Sequence, residues 1–158
     1  MHGQLSQDTV VAAAASAVWD VYRGLELGRL VNQLLPDVLG KVEVIEGDGS
    51  VGTILKVTFP PGTPGTGYMK EIFTKIDEEK RVKEAETIEG GFKALGFNVY
   101  RARFEIIEKD SATSVIRSTI EYEVDDELAN LASHVTTKQV EILAEAIGKQ
   151  LCEKKATG

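Results

Sequence analysis

The feature that most constrains this chain is a change of hydrophobic period. From Lys41 to Val124 apolar and polar residues alternate; beyond Asp126 apolar residues recur at three- and four-residue steps. Alternation is the mark of strands with one wet face, and the longer step marks an amphipathic helix. The alternation is interrupted often enough to separate strands. Val42 and Val44 alternate with Lys41 and Glu43, the turn Gly47-Asp48-Gly49-Ser50 follows, and Thr53, Leu55, Val57 and Phe59 then share a face. PPGTPGTG (60–67) is a turn-rich loop, after which strands are expected at 69–76, 82–88, 95–108 and 114–124. The last is the cleanest, with Ile116, Ser118, Ile120, Tyr122 and Val124 on the dry side.

Ahead of this run, residues 4–12 read as a strand and Ala15–Tyr22 as a short helix with Val18, Val21 and Tyr22 on one side. A second short helix is expected over Gly28–Leu35, stopped by Pro36, which lacks the donor to continue it. After Asp126, Leu128, Leu131, Val135, Val140, Leu143, Ile147 and Leu151 set the helical period, with one five-residue slip. Read as one helix of ~29 residues, this segment would run about 43 Å. The order is α+β: a strand, two short helices, six strands, one long helix. A single long helix cannot cover seven strands unless the sheet curves around it, leaving a hollow between them.

At 158 residues the chain suits one domain, 1–158. Eighteen basic against 25 acidic residues, a net charge of −7, supply no basic stripe for a nucleic-acid backbone. The lone Cys152 fits a reducing compartment, and no apolar run approaches a membrane span, so the expected setting is cytoplasmic, without membrane or nucleic-acid partner. GDGSVG (47–52) matches a dinucleotide fingerprint in letters, yet a strand follows it where that mechanism needs a helix. His2, His134 and Cys152 have no familiar metal-ligand spacing, so no metal and no cofactor are expected, and Trp19 reads as core.

Two charged residues stand out. In strand 82–88, Glu84 and Glu86 belong in water, which turns Lys83, Ala85 and Thr87 inward. A lysine in a low-dielectric hollow is a candidate proton donor or Schiff-base amine. Strand 69–76 is ambiguous: either Met69, Glu71 and Phe73 face in, or Lys70, Ile72, Thr74 and Ile76 do. In the first case Glu71 can pair with Lys83 or serve as a base. The alternative is that both charges snorkel at a sheet rim. On strand 95–108, Tyr100, Ala102, Phe104 and Ile106 share the inward face.

LLPDVLGKVEVIEGDGSVGTILKVTF (34–59), Y-x-KE-x-F (68–73), IDEEKRVKE…IEGGF (76–92) and STIEYEV (118–124) together resemble the birch-pollen-allergen, or pathogenesis-related class ten, family. Within it the chain is similar to the norcoclaurine synthase-like branch, and RFEIIE (103–108) also resembles monocot norbelladine synthases. The resemblance implies a helix-grip, START-like fold with a large internal hydrophobic cavity closed at its base by the two short helices. It implies condensation of an arylethylamine (dopamine or tyramine) with an aryl aldehyde, with Lys83 as acid and Glu71 as base. The family tyrosine falls near Tyr68, but the family pattern is Tyr-Lys-Glu and this chain reads Tyr68-Met69-Lys70-Glu71. The extra residue either tilts Tyr68 off the inward face or is absorbed by a bulge. The family aspartate is replaced by Ala102, and a pocket tyrosine by Phe92. Ligand-lining positions implied are Leu35, Val38, Leu39, Val57, Met69, Phe73, Phe92, Tyr100, Ala102 and Phe104. The other reading of the same cavity is a non-catalytic carrier of hydrophobic plant metabolites or hormones. The partner expected is a small aromatic ligand, with the chain a monomer or weak homodimer. Glycines clustered at 47–52, 62–67 and 90–96 would line the cavity mouth.

Overall fold

The computed structural model describes residues 1–157, with side chains described to residue 154. Strand β1 (His2–Val11) is followed by helices α1 (Ala15–Tyr22) and α2 (Glu26–Leu34), then strands β2 (Lys41–Glu46), β3 (Ile54–Thr58), β4 (Tyr68–Asp77) and β5 (Val82–Gly90). A four-residue helix α3 (Gly91–Ala94) leads to β6 (Phe97–Asp110) and β7 (Thr113–Val124), and helix α4 (Lys138–Thr157) comes last. One antiparallel sheet holds all seven strands in the order β1-β7-β6-β5-β4-β3-β2. β1 crosses to pair with β7, so both ends of the strand run meet, and every other neighbour is a sequence neighbour.

The expected 29-residue helix is corrected. Asp126–His134 is a 3₁₀ helix, and α4 begins only at Lys138 and has 20 residues. Val135, Thr136 and Thr137 form a β-branched run whose stiff side chains disfavour a continuous helix. Thr136 Oγ1 accepts from the Lys138 amide at 3.1 Å, opening the new helix. The five-residue slip from Val135 to Val140 is the trace of this break. At the other boundaries, Leu95 and Gly96 belong to the turn after α3, not to β6.

Three buried clusters line the concave face, one of them Leu55, Phe73 and Ala85 of β3, β4 and β5. Tyr22, Val18 and Trp19 of α1, Leu30 of α2, Leu143, Ala144 and Ile147 of α4, and Phe104, Ile106 and Ile116 of the sheet close one end. Phe97, Ile120, Tyr122, Val124 and Val135 close the other. Ala102 and Val140 pack against both end clusters and yet stay only partly buried. No helix among the described residues is long and apolar enough to cross a membrane.

Candidate active site

The register of β4 settles which face Glu71 occupies. Glu71 lies opposite Leu55 of β3 and Thr87 of β5, both buried, and Phe73 lies opposite Ala85. Met69, Glu71 and Phe73 therefore face the concave side. Between the Lys70–Glu89 and Glu71–Thr87 pairs β5 carries one extra residue, Ile88, which is left exposed. On β5, Lys83 is 2 % exposed and Ala85 and Thr87 are buried beside it. The rim alternative thus fails for Lys83.

Lys83 has little solvent and few partners. Nζ donates to the Gly24 carbonyl, at the α1–α2 junction, at 3.1 Å and lies 3.7 Å from the centre of the Phe73 ring. A carbonyl and a ring face replace only part of an ammonium's hydration shell. Burial therefore pulls the Lys83 pKa down to about 8, against the opposing pull of the Glu71 charge. Glu71 is pushed the other way: desolvation raises its carboxyl above the usual carboxylate range, with Lys83 opposing. Glu71 itself is half-buried. Among the described residues no ion pair within 4 Å joins the two, yet each charge opposes the other's shift.

An aromatic wall stands beside them. Tyr100 of β6 stacks on Phe92 of α3 with centroids 4.5 Å apart and planes 10° from parallel, and Phe97 meets Tyr100 edge-on at 6.4 Å. Gly90 places this wall: its φ of +70° turns the chain from β5 into α3, and a Cβ there would strike the Tyr68 carbonyl oxygen. Burial and the Glu71 charge together hold the Tyr100 phenol up at about 12.

Of the positions expected to line the site, Glu71, Lys83, Met69, Phe73, Tyr100, Ala102, Phe104 and Val57 share the concave side, with Phe92 packed on Tyr100. Leu35 and Leu39 pack against the α1–α2 cluster at the base. Two expectations are corrected. Val38 is 53 % exposed in the turn after α2, where the chain reverses after Pro36. Tyr68 falls on the outer face, its hydroxyl donating to Glu89 at 2.8 Å and its ring under Lys56. The extra residue before Glu71 is not absorbed on β4, so strand parity gives the inward place to Met69. What sequence reasoning missed is the Gly24 carbonyl; its contact with Lys83 spans 59 residues and leaves no local signal.

A seven-stranded antiparallel sheet with two short helices after its first strand and a long helix at its end defines a helix-grip fold. Residues 1–154 match the model of the pathogenesis-related protein Bet v 1 family, and the chain belongs to that family. It is 51 % identical over 156 residues to norbelladine synthase from Narcissus pseudonarcissus, covering 99 % of this chain and 96 % of that one. It is 41 % identical to S-norcoclaurine synthase 2 from Papaver somniferum, over 96 % of this chain and 66 % of that one. A Thalictrum norcoclaurine synthase point mutant in complex with a transition-state analogue superimposes with a TM-score of 0.90 at 36 % identity, covering 98 % of this chain and 97 % of that one. The Thalictrum flavum norcoclaurine synthase structure with dopamine and hydroxybenzaldehyde gives 0.86 at 35 %, covering 97 % and 88 %.

Proposed function

We propose that this chain is a condensing enzyme that joins an arylethylamine, dopamine or tyramine, to an aryl aldehyde and releases the open imine. The observation that carries the reading is the Lys83–Glu71 couple on the concave face, each member driven toward its neutral form by burial. Groups so shifted exchange protons readily near neutral pH. Condensation moves one proton from nitrogen to oxygen twice. In the addition, Glu71 takes a proton from the amine nitrogen as its lone pair attacks the carbonyl carbon, and Lys83 gives one to the carbonyl oxygen. After the two side chains re-equilibrate, the same pair removes the carbinolamine's remaining N–H proton and protonates the departing hydroxyl, leaving imine and water. Closing a second ring would require a further base at the catechol, and the position that would supply a carboxylate is Ala102. The relatives named as norbelladine and norcoclaurine synthases support the substrate classes.

The test is product formation by the purified protein with tyramine or dopamine and a panel of aryl aldehydes, imines being trapped by borohydride, beside Lys83→Ala. The expected outcome is reduced secondary amine well above the uncatalysed background, abolished in the variant. Ligand binding without product, unchanged in Lys83→Ala, would make the protein a carrier instead.

A further inference from the structure

We infer that Glu78 is a positioning residue for the acid of this reaction: it holds the α1–α2 junction whose Gly24 carbonyl fixes the Lys83 ammonium. This role rests on the condensing reading and acts through Lys83 alone, without contact to substrate.

Glu78 opens the turn between β4 and β5, the hairpin that carries Glu71, Phe73 and Lys83. The hairpin grips two consecutive residues of the junction. Arg23, which ends α1, donates to the Glu78 carboxylate from Nη2 at 2.5 Å and from Nε at 3.0 Å. Gly24 accepts from Lys83 Nζ at 3.1 Å. A half-exposed arginine–carboxylate pair by itself adds little stability. Here the carboxylate is also fixed from within, because Trp19 Nε1, on a side chain 5 % exposed, donates to its Oε2 at 2.7 Å. The turn is shaped as well: Asp77 accepts from the Lys80 amide at 2.9 Å, and the Arg81 carbonyl accepts from the Ile106 amide at 3.0 Å.

The far side of the junction is backed by the glycine-rich loop. Leu25 packs on the Leu55, Phe73 and Ala85 cluster, and a Cβ at Gly49 would lie 3.1 Å from Leu25 Cγ and 3.7 Å from Gly24 Cα. Gly24 has no side chain to set its own peptide, so its carbonyl points where its flanks hold it. The lysine ammonium rides on a flexible stem, and proton transfer weakens steeply when the donor is misplaced. Releasing Arg23 therefore frees the carbonyl, and with it the ammonium held 3.7 Å from the Phe73 ring centre.

Glu78→Ala removes the clamp and leaves Lys83, Glu71 and the concave face unaltered. The expected result is a fall in kcat of about tenfold, with KM for the aldehyde within roughly threefold. Lys83 should be acetylated severalfold faster by trace acetic anhydride, read by mass spectrometry against the exposed Lys109. Glu78→Gln, whose amide oxygen can still accept from Trp19, should recover most of both. A lowered Tm in Glu78→Ala with kcat and Lys83 labelling at wild-type values overturns the role, leaving a merely structural clamp. Faster labelling with kcat unchanged overturns it too. The labelling needs no turnover: if wild type gives no product the condensing reading falls, while the labelling still decides whether Glu78 holds Lys83.

Discussion

The two faces of the same strands treat charge in opposite ways. On the convex face, Glu84 of β5 meets Arg103 of β6 at 3.8 Å, and Arg101 bridges Glu86 at 2.9 Å and Glu121 of β7 at 3.5 Å. On the concave face, one residue away along the same backbone, Lys83 and Glu71 have no ion-pair partner among the described residues. The outer charges are stabilised by contact: a hydrogen bond from Arg101 to Glu86 is the main reason that its guanidinium holds its proton more tightly. The inner charges are destabilised by burial, and both shift toward neutrality. Alternation alone thus sorts ionisable groups into a paired outer ladder and a buried inner couple.

Removing the inner amine breaks the contrast most severely. Lys83→Ala should lower kcat by about 10³-fold, within the range of a lost general acid, measured as trapped imine per unit time. Glu71→Gln keeps the shape and removes the base; a fall in kcat of about 10²-fold is expected, with aldehyde binding retained by fluorescence titration. Proton linkage sharpens the comparison without any substrate. The folded pKa of Lys83, about 8, lies below the ordinary 10.5, so between these values the unfolded chain binds more protons and stability rises with pH. The contribution is at most ~1.4 kcal/mol per pH unit. Lys83→Met should therefore be most stabilising relative to wild type below pH 8, with the gap closing toward pH 10.5, as read from urea midpoints. A pH-independent gap would show that Lys83 is not desolvated. The smallest effect belongs outside: Arg101→Ala should cost about 1 kcal/mol or less, falling further in high salt, with kcat unchanged.

Much of this arrangement is legible in the residues. Glu84 and Glu86 demand water, and that demand alone turns Lys83 inward. β4 is different, because Met69 and Phe73 on one side and Ile72 and Ile76 on the other are equally apolar, so pattern cannot choose a face. Only pairing with β3 and β5 decides it, and pairing is non-local. The helix break shows the reverse case: the β-branched run 135–137 and the slipped period were both present, but the flanking apolar steps outweighed them in a reading by period. The tether of Lys83 to a backbone carbonyl involves no side-chain identity at position 24, so no residue code announces it.

The added residue between Tyr68 and Glu71 carries a consequence for how such sites diversify. A strand has only two phases, so a change of one residue in chain length exchanges every side chain upstream of the anchor between solvent and interior. With Glu71 anchored by Leu55 and Thr87, the inward place before it on β4 falls to Met69, and Tyr68 takes the outer face. The number of residues between Tyr68 and Glu71 thus decides whether a phenol or a thioether lies on the concave side, with every residue of the neighbouring strands unchanged.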